Sequence, residues 1–240
     1  MARSPALTRR NVASNMAAMP NSLTAPPAQA VLSRLFAAAQ AQEAGELQLP
    51  PPPAGLRSWH DAPAADRAEA YQDVYIPISP DAGRLLYALV RAVRPQTVIE
   101  FGTSFGISTI YLAAAVTDNG TGQVITTELS GKKAAAARSN LHEAGVAEPV
   151  TVLEGDALQT LADIKGPVGM VLLDGWKDLC LPVLRLLEPV LAPGALVAAD
   201  DITHAGMAGY LDFVRDPANG YVSVAFPVED GMEISSWTGR

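Results

Sequence analysis

Residues 98–109 read Val98-Ile99-Glu100-Phe101-Gly102-Thr103-Ser104-Phe105-Gly106-Ile107-Ser108-Thr109. The apolar, β-branched start predicts a strand, the two glycines a turn, and the residues from Ile107 onward a helix. In open α/β sheets such strand-to-helix turns border the ligand crevice. The glycines stand four apart and lack the middle glycine of the GxGxxG fingerprint, which lets the backbone approach a pyrophosphate closely. A nucleoside without phosphates suits this loop better than a dinucleotide. The same two glycines also suit a tight turn with no ligand.

Outward from this unit the pattern repeats. Strand-like runs at Thr97–Phe101, 123–127, Val150–Glu154 and 168–174 alternate with helical patterns at 106–118, 132–145 and 157–164. A helix near 179–191 then leads through Pro193-Gly194 to a strand at 195–199. Near-continuous apolar strands imply a parallel sheet covered on both faces, so the predicted fold is doubly wound, Rossmann-like α/β. After a helix near 206–216, the runs Tyr221–Phe226 and 233–237 are joined through Asp230-Gly231. They predict an antiparallel hairpin at one edge of a mostly parallel seven-stranded sheet.

Towards the N-terminus the signals weaken. Residues 1–28 show no sustained period and read as a flexible arm. Across 29–44, Val31, Leu32, Leu35, Phe36 and Ala39 share one helical face, with Gly45 as the stop. That stripe packs either on the main domain or on a second subunit, and a homodimer through these helices is expected. Pro50 to Pro53 form a stiff linker, and 64–72 is helical, so 29–78 reads as a helical extension with a Pro-rich linker. Ser79-Pro80-Asp81 supplies a cap, a first-turn proline and an acid for the dipole, opening a helix to about Arg94 and the main domain over 79–240.

Composition limits the partners. The 240 residues are 49% hydrophobic, enough for one full core, and 17 Lys and Arg against 25 Asp and Glu give a net charge of -8. No basic cluster exceeds the pairs Arg9-Arg10 and Lys132-Lys133, which argues against nucleic acid. The single cysteine, Cys180, fits a reducing compartment, and no signal-peptide or membrane-length apolar run is present, so a cytoplasmic location is expected.

The chemistry lies at the predicted strand ends. Glu128 follows Gly106 by 22 residues and ends the second strand, where a carboxylate can accept both ribose hydroxyls or simply start a helix. Asp156, after Glu154-Gly155, either caps the next helix or meets an adenine. Asp174 ends the fourth strand, and Asp200 with Asp201 the fifth, so three carboxylates converge and need a cation. Hard oxygen donors point to Mg²⁺, with Mn²⁺ or Ca²⁺ as substitutes. Lys177 is expected as a general base with a pKa lowered by burial and the cation, and Trp176 as an apolar wall. His204 is either a loop residue or a spare base, His60 and His142 receive no role, and Cys180 reads as a buried inert thiol.

These residues resemble the acid-x-Gly-x-x-x-Gly motif and strand-end acids of class I S-adenosylmethionine-dependent methyltransferases. Over about residues 78–233 the chain is similar, more narrowly, to the metal-dependent catechol and caffeoyl-coenzyme A O-methyltransferases. The strongest pieces are Leu173-Asp174-Gly175-Trp176-Lys177-Asp178 and Ala199-Asp200-Asp201. The resemblance implies that Glu100 and Gly102 approach the methionine part of the cofactor, Ser108 its carboxylate, Glu128 the ribose, and Asp156-Ala157 the adenine. Thr103, Ser104, Gly106, Leu129, Gly155, Asp174 and Trp176 complete that site; Asp174, Asp200 and Asp201 bind metal; Lys177 and Asp174 act in catalysis. The implied acceptor is a hydroxylated small molecule, catechol-like or otherwise chelating. The chain departs from the catechol pattern at Asp201, usually Asn, at Gly175, where animal enzymes carry a His, and near Val224, where an acceptor-binding acid would fall. A non-catalytic nucleoside-binding regulator is the alternative, and a nicotinamide-dependent dehydrogenase is disfavoured by the glycine pattern.

Overall fold

The computed structural model describes residues 21–45 and 49–239. In chain order the helices and strands are α1 (Pro26–Ala44), α2 (Ala64–Ala70), α3 (Pro80–Val93), β1 (Thr97–Phe101), α4 (Ile107–Asn119), β2 (Gln123–Glu128), α5 (Gly131–Glu143) and β3 (Val150–Glu154). They continue with α6 (Ala157–Thr160), β4 (Val168–Leu173), α7 (Cys180–Leu187), β5 (Leu191–Ala199), α8 (Ala208–Arg215), β6 (Tyr221–Phe226) and β7 (Met232–Trp237). All seven strands form one sheet in the order β3-β2-β1-β4-β5-β7-β6. The five strands from β1 to β5 are parallel, and β7 lies antiparallel between β5 and β6. This is the doubly wound sheet with a C-terminal hairpin that the periodicity predicts.

Alternation along β1 divides the core. Val98 joins the cluster on one face with Leu86, Val90 and Ile110, while Ile99 and Phe101 join Val171, Leu184 and Val214 on the other. Side chains two apart share a face of a strand, so one buried strand serves both layers. Strand order reverses at β1, which pairs with β2 on one side and β4 on the other. That switch point opens a crevice beyond the C-terminal strand ends.

The helix signals act as expected at α3, where the Ser79 side chain accepts from Ala82 N and Pro80 opens the first turn. At the N-terminus the structure departs from the expectation. Helix α1 starts at Pro26, and Ser22 donates from its backbone N (2.9 Å) and Oγ (2.7 Å) to the buried Asp118 carboxylate. Residues 21–28 are therefore anchored rather than an arm; the rest of the expected arm, 1–20, lies outside the described residues.

The α1 stripe also finds its cover within the chain. Val31, Leu32 and Leu35 are buried in the cluster that includes α3 and α4, Phe36 packs against it, and Arg34 reaches Glu143 of α5. The stripe thus needs no second subunit, because an amphipathic face looks the same whichever surface covers it. No helix among the described residues is long and apolar enough to cross a membrane.

Helices α3 and α4 meet at Gly83, where an added Cβ would stand 2.4 Å from the Tyr111 ring. Gly to Ala within a helix ordinarily stabilises by roughly 0.5–1 kcal/mol. Overpacking of a core costs about 1–3 kcal/mol. The expected outcome for Gly83→Ala is a lower urea midpoint with an unchanged m-value. A stabilised variant would show that the two helices do not pack this closely.

Candidate active site

A cavity of about 630 Å³ lies beyond the C-terminal strand ends. Its sheet-side wall comes from Phe101, Gly102 and Ser104 at the end of β1, Thr127 to Leu129 at the end of β2, Gly175 to Asp178 after β4, and Asp201 with His204 to Gly206 after β5. The opposite wall is the N-terminal extension, through His60, Arg67, Tyr71 and Ile76. A smaller recess beside it is lined by Thr103, Ser104, Ser108, Ile78 and Asp174.

The glycine loop is shaped first by the backbone. Gly102 has φ 104°, and a Cβ there would meet the Asp174 carbonyl oxygen at 2.5 Å. Its glycine is thus required by the close approach of the β1 and β4 ends. Ser104 takes a left-handed φ of 47°, which points its N–H to Glu128 Oε2 at 2.8 Å, while Ser130 N donates to Oε1 at 2.9 Å. Two backbone donors therefore fix the Glu128 carboxylate at the cavity wall, with lone pairs left for a ligand.

Glu100 lies beneath the loop, fully buried, and accepts from Thr109 Oγ1 at 2.5 Å. Burial pushes its carboxyl up to about 7, and its Oε1 has no partner. Gly106 opens α4, Asp156 caps α6 by accepting from Leu158 N at 2.9 Å, and Gly155 and Ala157 flank that cap. Glu100, Gly106, Gly155, Asp156 and Ala157 do not line the cavity, whereas Gly102, Ser104, Glu128, Leu129, Trp176, Lys177 and Asp201 do.

The three predicted acids come together. Asp174 N donates to Phe101 O and Asp200 N to Leu173 O, so the parallel pairing runs on past β4 and β5 and sets their ends side by side. Asp174, Asp200 and Asp201 each offer an oxygen within 4.8 Å of the others. Asp201 has φ 55°, a left-handed conformation that Asp and Asn tolerate better than other side chains do. Burial raises the Asp174 carboxyl above its ordinary range against the pull of Lys177. Burial, then the Asp174 and Asp201 charges, push Asp200 up to about 8. Asp200 Oδ1 is buried with no partner. Glu229 adds negative potential on Asp174 and Asp200 and accepts from Ser79 N at 2.7 Å.

Lys177 differs from its expected state. Its Nζ lies 2.9 Å from both Asp174 Oδ1 and Asp201 Oδ2. Burial alone would lower its pKa, but the two carboxylates outweigh burial and hold it above the usual lysine range. One lysine formally offsets one of three acids, so the cluster keeps the surplus charge and the unpartnered oxygen that suit a hard divalent cation.

Sequence reading missed Arg67 and His60 on the far wall. Arg67 of α2 is buried, donates to both Asp178 carboxylate oxygens at 2.8 and 2.9 Å, and lies 4.7 Å over the Trp176 ring. Tyr71 also meets the Trp176 ring in a T-shaped contact with centroids 5.6 Å apart, so the extension holds the expected apolar wall. His60 and His204 approach to 4.9 Å at the rim. No local signal marks the Arg67 contact, which spans 111 residues. Cys180 is buried, which pushes its thiol up to about 12. Val224 is exposed on the edge strand β6, and Glu229 is the acid that the C-terminal region brings near the carboxylates. Gly175 follows Asp174 because the Phe101 ring would stand 2.5 Å from any Cβ there.

Known proteins share the fold and stretches of the sequence. Residues 99–202 match a family described as a methyltransferase domain. The chain is 35% identical over 144 residues to a catechol O-methyltransferase of Mycobacterium tuberculosis, covering 60% of this chain and 63% of that protein. It is 30% identical over 140 residues to the catechol O-methyltransferase of Sus scrofa, covering 55% of this chain and 74% of the relative. Among solved structures, cofactor-bound Rv0187 from MTB superposes with a TM-score of 0.68 at 25% identity, covering 91% of this chain and 94% of that one.

Asp200 gives the cluster a pH signature. Its carboxyl rises from about 3.9 in an unfolded chain to about 8 in the fold. Between those values the folded state keeps a proton that the unfolded state has lost, so stability falls as pH rises through that window. With chelator present, Asp200→Asn is expected to exceed the parent by roughly 1–3 kcal/mol at pH 8 and to differ little near pH 4. Urea unfolding across that range measures it, and a constant difference between the two proteins would contradict the assignment.

Proposed function

The chain belongs to the class I S-adenosylmethionine-dependent O-methyltransferase family, and from that membership we propose that it methylates a hydroxyl of a small molecule with the help of a divalent cation. The carrying observation is that three carboxylates lie within 4.8 Å of one another, and one of them, Asp201, lines the cavity in which backbone donors fix Glu128. A ribose can be held at one end of that space and an ionising hydroxyl at the other.

Glu128 would accept the ribose hydroxyls, and Ser108, in the small recess, would donate to the methionyl carboxylate. The buried, unpartnered Glu100 Oε1 suits a cationic amine close by. Asp174, Asp200 and Asp201 would hold the cation, with Mg²⁺ as the best fit and Mn²⁺ or Ca²⁺ favoured somewhat by the extra charge of Asp201. A bound divalent cation lowers the pKa of a coordinated hydroxyl.

Lys177 Nζ would take the acceptor's proton, a role open to it only when Asp174 and Asp201 no longer hold its ammonium form. Trp176, held by Arg67 and Tyr71 at the cavity wall, would seat a flat acceptor, and vicinal oxygens would match the cluster's charge. Holding acceptor oxygen, methyl carbon and sulfur in line supplies much of the remaining rate gain. A single buried cysteine suits a cytoplasmic setting. A homodimer would use surfaces other than the α1 stripe.

Labelled-methyl transfer to catechols, flavonoids, hydroxycinnamoyl esters and hydroxamates tests this reading. Turnover is expected to vanish with EDTA and return with Mg²⁺ or Mn²⁺. Asp174→Ala and Asp201→Ala should abolish it while S-adenosylhomocysteine affinity by calorimetry stays within a few-fold. Full turnover after exhaustive chelation would remove the cation from the mechanism. Lys177→Ala should lower kcat by about 10²- to 10⁴-fold, the usual worth of a general base. A loss of stability alone, with kcat kept at saturating metal, would reduce Lys177 to an ion-pair partner.

A further inference from the structure

The cavity wall carries three Lys or Arg side chains, and two of them are spoken for. Arg67 is forked onto Asp178, and Lys177 bridges Asp174 and Asp201. The third, Lys133, stands in the first turn of α5 and is 6% exposed. Among the described residues no carboxylate lies within 4.0 Å of its Nζ, and the Nζ donates no hydrogen bond to the protein; it stands 5.4 Å from the centre of the Phe105 ring. Burial pushes its pKa below the usual lysine range, with Glu128 and Asp73 as the nearest opposing charges. The side chain is buried while the ammonium borders the cavity, so its donors are open to an acceptor that enters there.

The chemistry of the neighbouring group selects that acceptor. Glu128, five residues earlier, has each oxygen on a backbone N–H and can take further protons only from ligand donors. A ligand atom placed between Glu128 and Lys133 must donate to the first and accept from the second, and a hydroxyl does both. The methionyl carboxylate is a poorer match, since the Ser108 recess is not lined by Lys133. We infer that Lys133 is a cofactor-binding residue whose ammonium donates to a ribose hydroxyl oxygen while that hydroxyl's proton goes to Glu128. This inference rests on the S-adenosylmethionine reading of the cavity.

Calorimetric titration of the full chain with S-adenosylhomocysteine and its 2′-deoxy and 3′-deoxy analogues tests it. Lys133→Met should weaken S-adenosylhomocysteine by roughly ten- to a hundredfold, the scale of a hydrogen bond to a charged group. For the analogue lacking the contacted hydroxyl, parent and variant should bind alike, because the interaction is already gone. Lys133→Arg should recover most of the loss and, with Lys133→Gln, carries the same comparison should the methionine variant fold poorly. Equal weakening of all three ligands would make Lys133 a plain part of the wall and overturn the inference, as would no weakening at all. A parent chain that fails to bind S-adenosylhomocysteine would overturn the cofactor reading and this inference together. A parent that binds, beside an unaffected variant, overturns this inference alone.

Discussion

Crowding of like charge at the ends of β4 and β5 is the constraint around which the site is built. The parallel register that pairs Leu173 with Ala199 sets Asp174 beside Asp200, and the turn at Asp201 adds a third carboxylate. Charges this close repel strongly once burial removes water, so something must compensate them. Part of the response is visible in the protonation of the cluster: Asp200 is pushed towards neutrality, and Lys177 is drawn between Asp174 and Asp201. Both responses are incomplete, since Asp200 Oδ1 remains buried without a partner. A divalent cation is the compensation that fits the remaining charge and oxygen donors, and it would free Lys177 for another task.

Much of this was legible from residues alone, because each part announces itself locally. Strands such as Thr97–Phe101 and Tyr221–Phe226 are β-rich runs with turn residues beside them. Each acid of the cluster ends such a run, and a strand end in a doubly wound sheet has a known destination. Glycine was harder to read: Gly102 and Gly175 are fixed by the Asp174 carbonyl and the Phe101 ring, so their packing need says nothing for or against a ligand.

What escaped the sequence depends on contacts far along the chain. The ion pair of Arg67 with Asp178 joins an alanine-rich helix to the loop after β4, and nothing near Arg67 marks it as buried. The α1 stripe predicts burial but not the surface that provides it, and α4 and α5 turn out to do so. The pKa of Lys177 was expected to fall; Asp174, and then Asp201, 24 residues on, outweigh burial and raise it. Lys133 appears in sequence only as half of a short basic pair with Lys132. Only the fold shows that Lys132 reaches Asp73 at the surface while Lys133 turns inward.

The central claim is that the strand-end carboxylates form a cation site sharing one cavity with a nucleoside site. Anomalous diffraction from crystals grown with Mn²⁺ and S-adenosylhomocysteine tests it most directly. A single strong peak among the Asp174, Asp200 and Asp201 oxygens is expected, with Lys177 Nζ withdrawn from at least one of its two carboxylates and the ribose on Glu128. A map with no manganese peak there, and with Lys177 still bridging Asp174 and Asp201 beside bound S-adenosylhomocysteine, would contradict it.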